Sequence, residues 1–122
     1  MPSSILLFAA GSLRLAFAPL ISQFSRHSGI DVKVEYGPAG LLRERIEAGE
    51  PCALFASANR EHPQRLLALQ KAVLTQTFSW NQLSLVSNRN GAWLDLLRDP
   101  TLRIGTSTPG CDPSGDYTWA FF

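Results

Sequence analysis

Small residues gather where an apolar run ends. Ile5-Leu6-Leu7-Phe8 gives way to Ala9-Ala10-Gly11-Ser12, and Leu13 opens an apolar periodic segment. The pattern predicts a buried strand feeding a helix through a tight turn. The chemistry such a turn can do is anion binding. Ala9, Ala10 and Gly11 let backbone approach a ligand closely. Ser12 is a natural N-cap, and the first N–H groups after it lack helical partners. Those donors and the positive end of the helix dipole form an anion site. A capped strand–helix connection without a ligand fits the same residues. The device recurs at Tyr36-Gly37-Pro38-Ala39-Gly40 and at Thr106-Ser107-Thr108-Pro109-Gly110-Cys111-Asp112-Pro113-Ser114-Gly115-Asp116. In an open α/β sheet such turns meet at the carboxyl ends of the strands, where ligands bind. An oxyanion between helix N-termini is the expectation.

Other chemistries find less in the chain. His27 and His62 are far apart and have no ligand-spaced partner. Cys52 and Cys111 fit no metal spacing and read as buried or turn thiols, with a disulfide as the alternative in an oxidising compartment. Asp112 and Asp116 imitate an acid pair, but helix capping accounts for them. Trp80, Trp93 and Trp119 read as core or interface rather than ligand platforms. There is no G-x-S-x-G elbow and no phosphate loop ending in Gly-Lys-Ser/Thr. Arg14 reads as a solvated surface residue, with long-range attraction for an anion as the alternative. The expectation is a protein that is not an enzyme and uses no cofactor and no metal.

The chain has 122 residues, 45% of them hydrophobic and 17% charged, which is ordinary globular composition. A net charge of +1 with arginines scattered along the chain gives no case for nucleic acid as a partner. No run is long enough to span a bilayer. Ile5 to Ala10 imitates a signal peptide, but no Lys or Arg precedes it. It is read as the first strand of a mature sequence.

The elements that must position the turns follow from periodicity. Leu13, Phe17, Leu20, Ile21 and Phe24 fall at helical spacing and should line one buried face. Pro19 should kink that helix or mark its first turn, and Gly29 should stop it. Ile30, Val32, Val34 and Tyr36 alternate with Asp31, Lys33 and Glu35 as in a half-buried strand. A short helix through Leu41, Leu42, Arg45 and Ile46 should end at Gly49 and Pro51. A brief strand at Ala53–Ala56 turns out through Ser57-Ala58-Asn59, and a helix covers Gln64 to Gln70. This alternation predicts a mostly parallel sheet with flanking helices. Beyond it, strands are expected over 75–80, 83–87 and 102–105, and helices from Trp93 and Pro113. Residues 1–79 are thus read as a first α/β lobe and 80–122 as the start of a second.

The turns in register carry a resemblance. Ala9-Ala10-Gly11-Ser12-Leu13, Gly37-Pro38-Ala39-Gly40, Phe55-Ala56-Ser57-Ala58 and Pro109 to Tyr117 resemble, in order and spacing, the molybdate-binding proteins of bacterial molybdate ABC transporters. The resemblance implies a two-lobed periplasmic binding fold of type II, with a tetrahedral oxyanion in the cleft. It implies that the second lobe is incomplete here and that the first is completed by returning chain. Carried over residue by residue, Ser12 binds the oxyanion through hydroxyl and N–H. Ala39 replaces a usual serine and retains only its N–H. Ser114 donates an N–H from the other lobe. Ala53 stands where the family commonly carries aspartate.

On this reading the protein delivers molybdate or tungstate to an ABC importer in the periplasm, with the membrane permease as partner. It does not itself span the membrane. The alternative is a cytoplasmic oxyanion sensor, or a truncated domain of the same fold that binds nothing. Uncovered apolar surface in a partial fold leads to a further expectation of self-association or marginal stability.

Overall fold

A computed structural model describes residues 4–80, 84–106 and 113–121, with backbone alone for 113–116. Its centre is strand β1 (Ser4–Ala10), flanked by β2 (Asp31–Gly37) and β3 (Leu54–Ala56) in the order β2-β1-β3. Both pairings are parallel, with Leu7 opposite Val34 and Leu54, and Ala9 opposite Tyr36 and Ala56. Parallel strands need crossover connections that cover the sheet faces. Helix α1 (Arg14–Ser28) joins β1 to β2, and α2 (Ala39–Glu47) joins β2 to β3. Helix α3 (Glu61–Ala68) follows β3.

Successive residues of β1 face opposite ways, and two cores result. Phe8 packs with Leu42, Ile46 and Leu66 from α2 and α3. Leu7 and Ala9 pack with Ala56, and Leu13, Phe17, Ile21, Val32, Val34 and Tyr36 close over them. The second core is thinner. Phe17 and Ile21 of α1 are half-buried, Leu20 and Phe24 are exposed, and no residue of α1 is buried. The expected buried face of α1 is therefore only partly covered, because one helix on one sheet face leaves its flanks open. Pro19 sits inside α1, which continues through it. The lost bond falls on the carbonyl of Leu15, a residue 91% exposed, so water can satisfy that group. Gly29 ends α1 in the left-handed region at φ 74°, as its residue type favours.

One side chain shields the edge of the Phe8 core. The Arg45 guanidinium lies 4.6 Å from the centroid of the Phe8 ring, whose residue has no exposed surface. It reaches Glu35 at 3.2 Å and Glu50 at 2.7 Å. Glu35 stands opposite Phe8 in the β1–β2 register. The arginine thus ties β2 to the segment after α2 while its face covers the ring. Hydrogen bonding with Arg45 holds the Glu50 carboxyl below its ordinary range.

The sequence expectation fails beyond Ala72. Residues 75–80, 84–87 and 102–105 form no strand. A strand needs a neighbour to pair with, and the sheet ends at β3 on that side. Two short helices remain as expected, α4 (Trp93–Arg98) and α5 (Pro113–Phe121). Trp93 and Phe121 meet with ring centroids 5.7 Å apart. Val73, Leu74, Phe78 and Trp80 are exposed.

Phe8→Ala should lower stability by about 3–5 kcal/mol, the range for emptying a packed aromatic site. Leu15→Ala on the exposed side of α1 should change it by no more than about 0.5 kcal/mol. Urea unfolding of both variants checks the contrast. Because Arg45 lowers the folded-state pKa of Glu50, that pair contributes stability above the usual carboxylate range. The contribution is lost as pH falls through the lowered value. Glu50→Gln should therefore flatten the acid limb of a pH–stability curve and leave the neutral-to-basic region level.

Candidate functional site

The reversal of direction at β1 creates the site. The turn after β1 leads to α1 on one face, and the turn after β3 leads to α3 on the other. Such a switch leaves a crevice at the carboxyl ends of the strands. Ala10 pairs with Gly37, and Ala9 with Ala56, so the turns after all three strands stand side by side. A Cβ placed on Gly11 would lie 3.9 Å from the Gly37 carbonyl oxygen, which measures how close the first two turns run.

Ser12 occupies the middle of a single 3-10 turn, Gly11–Leu13, between β1 and α1. It does not cap α1, contrary to the sequence reading. Ala10 and Leu13 hold the two N-cap positions, neither with a side-chain bond, and the Arg14 N–H donates to the Gly11 carbonyl. The tightened turn satisfies that backbone donor without the serine hydroxyl. Ser12 is exposed at the crevice.

Ala39 begins α2 after Pro38, whose extended backbone makes it the N-cap. The Leu42 N–H donates to the Pro38 carbonyl at 3.1 Å, so the N–H groups of Ala39, Gly40 and Leu41 precede the helical ladder. Ala39 itself has no exposed surface. Ser12 and Ala39 therefore come together at one end of the sheet. Ser114 falls in the first turn of α5, and its side chain lies outside the described residues, as do Cys111 and Asp112.

The third turn at this edge is Ser57 to Asn59, to which the sequence reading gave part of a resemblance motif but no capping role. Asn59 is buried, and its Oδ1 accepts the His62 N–H at 3.3 Å. The Ser57 Oγ accepts the Asn59 N–H at 3.2 Å. A serine two residues before an asparagine, three before a helical N–H, was the available signal. Asn59 thus precedes Arg60, the N-cap of α3, and ties down a first-turn N–H, a bond for which the first turn has no counterpart.

Electrostatics at this edge come from neutral dipoles and arginine. Arg14 is exposed, as read from the sequence, and its guanidinium lies over the Tyr36 ring, 4.6 Å from the centroid. Among the described residues no three of His, Cys, Asp and Glu are grouped to hold a metal ion. Cys52 carries a free thiol, and burial raises its pKa, which keeps it protonated.

The model of bacterial extracellular solute-binding proteins matches residues 5–122 of the chain. This chain belongs to that family. An uncharacterised protein of Pasteurella multocida is 43% identical over 122 residues, covering 95% of this chain and 51% of its own. The molybdate-binding protein ModA of Escherichia coli is 31% identical over 127 residues, covering 93% and 48%. The chain thus spans about half the length of these curated relatives. A substrate-binding domain assigned to a molybdenum ABC transporter of Clostridium difficile superposes with a TM-score of 0.53 at 31% identity, over 55% of this chain and 30% of that one. The periplasmic molybdate-binding protein of Azotobacter vinelandii gives 0.53 at 24%, over 54% and 29%. The α/β fold of this solute-binding protein, a parallel sheet with helices on both faces, is that of periplasmic binding proteins. No described helix is long and apolar enough to cross a membrane.

The caps separate structural from ligand roles. Ser12→Ala should leave the melting temperature almost unchanged, because no cap bond is lost. Asn59→Ala should cost about 1–2 kcal/mol, the range for losing an N-terminal cap. Thermal melts of the two variants without ligand test this.

Proposed function

We propose that this solute-binding protein binds molybdate or tungstate and delivers it to an ABC importer, with the transporter's membrane permease as its partner and the periplasm as its place of work. The observation that carries the reading is the meeting of the Ser12 turn and the start of α2 at the carboxyl edge of the sheet. Donors converge there from the ends of two strands. The likeness to the E. coli and Clostridium difficile proteins supports the choice of ligand.

In this reading Ser12 donates its hydroxyl and backbone N–H to the anion. Ala39 donates an N–H, and Ser114 adds another from a second lobe that begins near residue 80 and closes over residues 1–79. Neutral donors suit this ligand. Molybdate is a dianion at neutral pH and offers no proton, so a site of donors alone satisfies its oxygens. Helix N-termini supply the compensating charge. The protein performs no covalent chemistry and uses no cofactor.

Ser12→Ala should weaken molybdate binding by about tenfold to a hundredfold, since a hydrogen bond to a charged group is worth roughly 1.5–3 kcal/mol. Ala39→Ser places a hydroxyl in an enclosed position, which destabilises the unliganded protein unless it finds a partner. Bound molybdate is that partner, so the same variant should gain more thermal stabilisation from molybdate than the wild type does. Calorimetric titration with molybdate, tungstate, sulfate and phosphate, paired with melts, tests the reading. Affinity unchanged by Ser12→Ala would place the ligand elsewhere.

A further inference from the structure

The oxyanion reading assigns no task to Arg14. This residue opens α1, just past the turn that carries Ser12. Its guanidinium rests on the ring of Tyr36, the penultimate residue of β2, and so spans the two strands whose ends present Ser12 and Ala39. Arg14 forms no ion pair among the described residues. The arginines on the α2 side differ. Arg43 lies near Glu44 and Glu47, Arg45 is held by Glu35 and Glu50, and Arg65 reaches Glu47 at 2.7 Å. The stretches that follow the three strands, 9–14, 36–42 and 56–60, contain no Asp or Glu. The acids that flank them, Glu35, Glu44 and Glu61, each adjoin a stretch or lie within two residues of one, and Glu35 is tied to Arg45. Among the described residues Arg14 therefore keeps its charge without an acid partner beside the Ser12 turn, whereas the arginines of the α2 side are paired.

We propose that Arg14, held over Tyr36, is a steering residue that raises the rate at which anions reach the carboxyl edge. The proposal rests on the oxyanion reading above and adds a kinetic role for a residue that does not touch the ligand. Stacking suits arginine to this task. The planar group keeps its full charge while lying on a ring, and the ring limits the wandering of a long side chain. A fixed charge near a cleft concentrates counter-ions of opposite sign there. A single charge roughly 10 Å from a dianion in water-like surroundings changes encounter by about fourfold at low salt. Screening removes most of that effect beyond about 8 Å at physiological ionic strength.

Stopped-flow mixing of the protein with molybdate, at ionic strengths from very low to about 0.5 M, tests the proposal. Arg14→Gln should slow association about threefold to fivefold at low salt and converge on the wild type at high salt. Dissociation and melting temperature should stay level. Arg14→Lys should restore most of the salt dependence, because the charge returns even though the planar stack does not. Identical salt slopes in wild type and Arg14→Gln, with molybdate bound by both, would overturn steering and leave the oxyanion reading standing. Faster dissociation as the only change would make Arg14 a ligand contact and also overturn steering. A wild-type protein that gives no calorimetric response to molybdate would overturn the oxyanion reading and this role with it.

Discussion

A parallel strand with neighbours on both sides has to be covered on both faces, and β1 imposes that requirement on the whole molecule. Its seven residues, Ser4–Ala10, supply the pairing edge for every other strand in the sheet. Phe8 faces one way and Leu7 and Ala9 the other, so helices must lie on both sides. The two solutions are unequal. Two helices enclose Phe8 completely, whereas α1 alone covers the Leu7 side and remains half-exposed along its length. Arg45 completes the better-packed side by laying a charged plane over an aromatic one and fixing it to two carboxylates.

The same central strand decides where binding can occur. Its neighbours are reached by helices on opposite faces, and the turns after the three strands stand side by side at its carboxyl end. The chain fills the turns after β1 and β2 with Ala, Gly, Ser and Pro, and neither 9–14 nor 36–42 contains an Asp or Glu. Small side chains let backbone donors approach a ligand closely.

Much of this was legible in the residues. The alternation from Ile30 to Tyr36 gave β2 and its exposed face, and Gly29 marked the end of α1 by its left-handed backbone. The small-residue turns at Gly11 and Gly37, read as meeting at the carboxyl ends of the strands, do lie side by side there. The capping role of Ser12 was misread because an alternative backbone geometry, a 3-10 turn, closes over that position without needing the hydroxyl. Ser57 and Asn59 were passed over because their bonds run within one short turn, which hydrophobic periodicity does not register. Strands over 75–80, 83–87 and 102–105 were expected from residue type alone. Residue type proposes an extended segment, but a partner decides whether it becomes a strand, and no described strand stands beside them.

The middle place of β1 also bears on the order in which the molecule can be made. A ribosome releases β1 before either strand that pairs with it. Ser4 finds its register opposite Asp31, and Leu7 finds its second neighbour only at Leu54. Until β3 is out, the most apolar segment of the lobe has one open edge, and Phe8 has no Leu66 to lie against. Pairings between residues so distant in sequence are slow to form, and an unpaired apolar strand invites association with other chains. The strand that ends up best enclosed is thus the one that waits longest for its cover.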